Sequence, residues 1–177
     1  MTRDVHLPAL SECAEFRLAG LVDARIDFAR QLGEQFGVDW TASNHADAVE
    51  RVDAVLLALP NHLHAPVAID FLEAGVHTLV EKPMALTVAD CDRMIDAAER
   101  SGAVLAVALN RRLFHSNRLV RTLVETRAFG RARAFRVSGE GLYPWPMRSA
   151  YRYDPTYAGG GILADTGIHV LDLLCWW

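Results

Sequence analysis

The feature that most constrains this chain is a set of four near-continuous apolar runs, each followed by a helix candidate. They are FRLAGLVD (16–23), VDAVLLALP (52–60), VHTLVEKP (76–83) and AVLAVALN (103–110). Unbroken apolar runs are expected where strands of a parallel sheet are covered on both faces. Between them, ARIDFARQLGEQFG sets Ile26, Phe28, Ala29, Leu32 and Phe36 on one side of a helix and stops at Gly37. TVADCDRMIDAAERSG opens with Thr87 and Asp90 spaced as a capping box and closes at Gly102. Strands and helices alternating in this way form right-handed βαβ units, so the expected fold is α/β with a doubly wound parallel sheet.

From about residue 111 the texture changes. A helix candidate, SNRLVRTLVETRAFG, precedes a more polar strand candidate, RARAFRVSGEG, and then LYPWPMRSAYRYDPTYAGGG, rich in aromatics, Pro and Gly. A domain change is therefore expected there, dividing the chain into 1–110 and 111–177. With 177 residues, 51% apolar and 23% charged, the chain has the composition of a folded globular protein. A net charge of −4 and the lack of a basic run argue against nucleic acid as a partner. The N-terminus carries Arg3, Asp4 and His6 where a signal peptide needs an apolar core, and no later apolar run is expected to span a membrane. A cytoplasmic location is expected. Cys13, Cys91 and Cys175 are scattered and lack a C-x-x-C, so buried, reduced thiols are expected.

Ligands of doubly wound sheets sit beyond the carboxyl ends of the strands, and three of the four runs end in polar residues there. Asp23 ends the first, Pro60 and Asn61 close the second, and Glu81 with Lys82 ends the third. An acidic residue after an early strand is placed to accept hydrogen bonds from ribose hydroxyls and to repel a 2′-phosphate, favouring NAD over NADP. Capping of the next helix is an equally good reading of Asp23 alone. Lys82, beside Glu81 and before Pro83, stands where an ammonium can polarise a hydroxyl or carbonyl; a surface ion pair is the commoner fate of a single lysine.

The segment ALPNHLHAPVAIDFLEAGVHTLVEKPMALTVADC is similar to the part of the Gfo/Idh/MocA oxidoreductases that joins an N-x-x-H turn to an E-K-P signature. Asn61, His64, Glu81, Lys82 and Pro83 match, and the resemblance continues through Asn110 to Arg112 and into AGGGILADTGIHVLDLLCWW, like the family's D-x-G-x-H-x-x-D segment. It implies a Rossmann-type sheet followed by the start of an α+β substrate domain, with NAD as cofactor and NADP an alternative. Carried over residue by residue, it places Asp23, Pro60, Asn61, His64, Glu81, Lys82 and Asn110 at the cofactor. Lys82, Asp165 and His169 become catalytic, the last two lying four residues apart on one helix face.

An imidazole has a pKa suited to taking the hydroxyl proton as hydride leaves carbon, so His169 is the expected base. Asp165 would stabilise the imidazolium or orient the substrate, and Asp172 would orient the His169 ring or cap a neighbouring segment. The substrate implied is a secondary alcohol of a sugar, cyclitol or related polyol, and the full-length parent would be a homo-oligomer. Tyr143, Trp145, Arg148 and Tyr151 would line its pocket or simply pack a Pro-rich loop. Gly159 to Gly161 would admit a ligand close to the backbone or serve as a turn. His62, two residues from His64, is expected at the surface, and no metal site is expected.

The departures matter too. The family's opening strand and G-x-G-x-x-G turn have no counterpart, and RDVHLPAL resembles the helix that would follow them. In the order 3-2-1-4-5-6 the missing strand would lie mid-sheet, exposing two strand edges. Nothing follows Trp177 where the family continues into a large sheet, so the chain reads as a fragment. Leu173, Leu174, Trp176 and Trp177 are then expected to form an exposed patch. The alternative to a dehydrogenase is a non-catalytic remnant or interaction module that binds no dinucleotide.

Overall fold

A computed structural model describes residues 2–138 and 154–177. A π-helical turn, Thr2–His6, runs into α1 (Leu7–Glu12), after which strands and helices alternate. The order is β1 (Gly20–Val22), α2 (Ile26–Phe36), β2 (Trp40–Ala42), β3 (Ala54–Leu57), α3 (His64–Glu73), β4 (His77–Val80), α4 (Val88–Ser101) and β5 (Leu105–Val107). Beyond these lie α5 (His115–Glu125), α6 (Pro155–Ala158) and α7 (Ile168–Trp176). Every strand pairing among the described residues is parallel, as the apolar runs predict. Both glycine stops hold: Gly37 and Gly102 close α2 and α4 in the left-handed conformation. Thr87 caps α4 by accepting the Asp90 N–H at 3.1 Å, while the Asp90 carboxylate accepts the Thr87 hydroxyl at 2.8 Å.

The sheet is in two parts, β2-β1 and β3-β4-β5. Among the described residues no ladder joins β1 to β3, so each presents an inner edge, where a central strand of the 3-2-1-4-5-6 order would lie. The parts share one core, because Val22 and Trp40 pack against the cluster built on the larger one. Gly20 is required by that packing. A Cβ there would stand 2.3 Å from the Trp40 indole, so only glycine lets β1 lie against the ring. In α3 and α4, Val67, Ala68, Phe71, Leu72, Met94 and Ala97 are buried together with Leu57 and Val80 of the sheet. Each large side chain fully removed from water there contributes about 1.5–3 kcal/mol.

Several expectations need correction. Burial on both faces fails at β4, where Thr78 and Val80 are buried but His77 and Leu79 are exposed, so the alternation is that of a strand covered on one face. The short β2 follows no apolar run and was not anticipated. Residues 131–138 form no strand and are exposed, with only an isolated bridge between Ala128 and Gly130 beside them; a strand needs a ladder partner, and the described residues supply none.

The C-terminal aromatics are not an exposed patch. Leu173 is buried, Arg121 stacks 4.5 Å over the Trp176 ring, and the Trp177 indole donates to the Asn117 carbonyl at 3.0 Å. One stretch does reach membrane-spanning length: Thr156–Trp176, 21 residues with mean hydropathy 1.2, passes by length and composition. Its Asp165 and Asp172 are paired with Lys82 and Arg112, which tie it to the rest of the chain. No cysteine is fully buried; Cys13 and Cys91 are half-buried and Cys175 is exposed.

Candidate active site

Parallel strands release their polar ends on one edge, and the third run supplies the centre of the site. After β4, the Glu81 N–H bonds the Leu57 carbonyl at 2.9 Å, continuing the ladder one residue past the strand. Lys82 follows, joined to Pro83 by a cis peptide bond. Its ammonium donates to Asp165 twice, to Oδ1 at 2.7 Å and to the carbonyl at 2.5 Å, and its side chain is only 16% exposed. Asp165 lies in the π-helical turn Leu163–Gly167 that leads directly into α7. One ion pair therefore brings the E-K-P segment and the D-x-G-x-H segment together across 83 residues of sequence. Lys82 is also the only lysine in the chain, every other basic side chain apart from histidine being arginine.

His169, in the first turn of α7, has its Nδ1 buried with no hydrogen-bond partner among the described residues. Burial holds its pKa below the usual imidazole value, the charges of Lys82 and Arg111 push it further down, and those of Glu81 and Asp172 oppose the shift. The shift favours the neutral form of the ring. Asp172 does not orient it. Its carboxylate is taken by Arg112 in a two-pronged pair, Nε donating to Oδ2 at 2.8 Å and Nη2 to Oδ1. Arg112 belongs to a 3-10 turn, Asn110–Leu113, so this pair fixes α7 to the end of β5.

The remaining sequence-predicted residues divide. Asp23, at the end of β1, binds Arg25: Oδ1 accepts its backbone N–H at 2.9 Å and its Nε at 3.1 Å. It makes an Asx-type turn ahead of α2 rather than the cap itself, and its side chain stays one-third exposed. Pro60 precedes the 3-10 turn Asn61–Leu63. Asn61 gives its amide to the Ala158 carbonyl at 2.8 Å, linking the N-x-x-H turn to α6. His64 is fully buried, its Nδ1 2.8 Å from the Pro83 carbonyl and its Nε2 2.9 Å from that of Leu59. It thus clamps the loops after β3 and β4 to each other.

Asn110 is exposed at the end of β5. Tyr143, Trp145, Arg148 and Tyr151 lie outside the described residues. His62 is not a surface residue: it is half-buried, its ring 4.7 Å from that of Tyr157. In the glycine run, Gly159 and Gly161 have positive φ of 80° and 61°, a conformation that favours glycine, so the run makes a turn between α6 and the helix carrying Asp165.

Sequence reasoning missed two residues. His6 reaches Glu81, its Nε2 2.8 Å from Oε1, and Arg112 holds Asp172. Arg112 stands in the N-R-R motif but its pairing with Asp172 does not show there, and the signal of His6 is tertiary only.

Comparison with known proteins gives the family. Residues 1–109 match a family model described as oxidoreductase family, NAD-binding Rossmann fold, and residues 117–177 match the GFO/IDH/MocA C-terminal domain. The chain belongs to the GFO/IDH/MocA oxidoreductases. It is 33% identical over 159 residues to levoglucosan dehydrogenase of Pseudarthrobacter phenanthrenivorans, covering 86% of this chain and 40% of that protein. It is 28% identical to myo-inositol 2-dehydrogenase of Thermotoga maritima, covering 96% of this chain and 49% of that one. The solved levoglucosan dehydrogenase in complex with NADH and L-sorbose superimposes with a TM-score of 0.79 at 29% identity, over 96% of this chain and 47% of that one. The chain thus spans about half the length of the relatives it matches.

The residues present fit NAD, the cofactor of this family's first domain. An accessible carboxylate stands at the β1 end and hydrogen-bonding groups at the β3 and β4 ends.

Proposed function

We propose that this chain forms the cofactor-facing part of an NAD-dependent oxidoreductase that interconverts a secondary alcohol of a sugar, cyclitol or related polyol with its ketone. The observation that carries the reading is the Lys82–Asp165 pair, which joins a shielded ammonium to the helix bearing a histidine of depressed pKa. A non-catalytic remnant has no need of a cation screened from water beside a depressed imidazole. In this reading residues 1–110 hold the cofactor and 111–177 begin the substrate side. Asp23 takes the adenosine ribose hydroxyls, with Pro60, Asn61, Glu81, Lys82 and Asn110 towards the nicotinamide and His64 fixing the loops that carry them. NADP is the alternative cofactor, because Arg25 stands beside Asp23 and can meet a 2′-phosphate.

The chemistry follows from charge. Bound NAD supplies the acceptor of the hydride. The Lys82 ammonium faces the reacting oxygen and stabilises negative charge as its proton departs, worth most where water is excluded. Asp165 holds the ammonium in place. His169 takes the hydroxyl proton; with Nδ1 sealed inside, Nε2 is the nitrogen left to receive it. In the reverse direction the same nitrogen returns the proton to the ketone oxygen. Tyr143, Trp145, Arg148 and Tyr151 are the proposed substrate-side residues.

The test is NAD-dependent oxidation of a panel of cyclitols and aldoses, with Lys82→Ala beside wild type. Turnover should fall by about 10²-fold or more, with less change in KM. Normal turnover in the variant removes Lys82 from the mechanism.

A further inference from the structure

We infer that His6 is a positioning residue for Lys82, acting through Glu81. His6 and Glu81 are 75 residues apart in sequence, yet Nε2 and Oε1 lie 2.8 Å apart, with side chains only 16% and 13% exposed. The other carboxylate oxygen, Oε2, accepts the backbone N–H of Lys82 at 3.2 Å. One carboxylate thus spans the N-terminal helical segment and the peptide unit from which the ammonium reaches Asp165.

His6 is delivered by packing and not by a loose end, since Leu7 beside it is 1% exposed. Burial of Glu81 raises its pKa, but hydrogen bonding and charge from His6, with the N–H and charge of Lys82, outweigh burial and hold the group below the usual carboxylate value. Without His6 the buried carboxylate loses its strongest offset. It then turns towards water or takes a proton, and either change slackens its grip on the Lys82 backbone.

The inference rests on the reading of Lys82 as the site's cation, and its test does not use turnover. Because Lys82 is the only lysine, an amine-acylating reagent meets one side-chain amine, which peptide mass spectrometry separates from the terminal one. In the folded wild type, acylation of Lys82 should be slow, as its side chain is shielded and paired.

His6→Ala should raise that rate at least about fivefold, the factor equivalent to losing one hydrogen bond. His6→Gln, whose amide still reaches a carboxylate, should bring it back to within about twofold of wild type. Glu81→Ala should raise the rate as His6→Ala does, and the double variant should add nothing, because both break the same link. Leu32→Ala serves as the control: it opens the core at α2 without touching His6 or Glu81 and should leave the rate within about twofold. An increase in Leu32→Ala equal to that in His6→Ala, an additive double variant, or an unchanged rate in His6→Ala overturns the inference. Absent polyol oxidation alongside the expected acylation pattern faults the catalytic reading and leaves the placement of Lys82 by His6 standing.

Discussion

Breaking the Arg112–Asp172 pair from its two sides should give unequal losses. Asp172 is nearly enclosed, its side chain 7% exposed, whereas that of Arg112 is 42% exposed. Arg112→Ala therefore leaves a buried carboxylate without its partner and also removes a guanidinium 5.8 Å over the Trp176 ring. Stranding a buried charge costs about 3–5 kcal/mol; the half-exposed partner puts this case at the lower end, about 3 kcal/mol with the lost ring contact included.

Asp172→Asn removes the charge but keeps an amide oxygen that accepts one N–H of the half-exposed Arg112, so about 1 kcal/mol is expected. Thermal unfolding followed by tryptophan fluorescence reads both. At this chain length the difference appears as melting points lowered by about 6–12 °C and about 2–4 °C respectively. Equal losses, or a larger one for Asp172→Asn, would refute the argument that the enclosed carboxylate is the costly partner.

The pH dependence has a definite sign. His169 has a folded pKa below its unfolded one, so the unfolded chain binds the proton first and stability declines as pH falls below about 6.5; His169→Gln should flatten that slope in urea titrations. Glu81 is likewise depressed in the fold, so the stability it lends is complete above the usual carboxylate value and is lost as pH falls through the folded one; Glu81→Gln should remove that acid limb. Burial, then Asp92 and Asp90, raise the Cys91 thiol pKa, so a thiol reagent near neutrality should modify the exposed Cys175 about tenfold faster than Cys91, as peptide mapping would register. Asp23→Ser should narrow the ratio of kcat/KM for NAD over NADP; a wild type that prefers NADP would show the ribose assignment to be wrong.

What the sequence disclosed was local or repetitive. Apolar runs marked β1, β3, β4 and β5, and glycine stops with a threonine cap bounded α2 and α4, because those signals act within a few residues. β2 escaped because Trp40–Ala42 is too short for a run and owes its place to pairing with Gly20–Val22. The one-sided burial of β4 could not be foreseen, since an apolar run looks the same whether one face or two is covered. In the site, Lys82, Asp165 and His169 were picked out by strand-end position, helical spacing and resemblance, and the Lys82–Asp165 contact then joined the segments. Asp172 was misjudged because its partner is 60 residues away, and His6 was passed over because Glu81 is 75 away. Contacts at such separations follow from the fold and leave no trace in spacing.

The most direct test of the central claim is the pH profile of NAD-dependent polyol oxidation in wild type and His169→Asn. A depressed imidazole acting as base predicts a wild-type kcat/KM that falls off in acid with a midpoint below about 6.5. The variant should lose that limb together with about 10²-fold or more of turnover. A variant that keeps both the limb and the turnover would contradict the account.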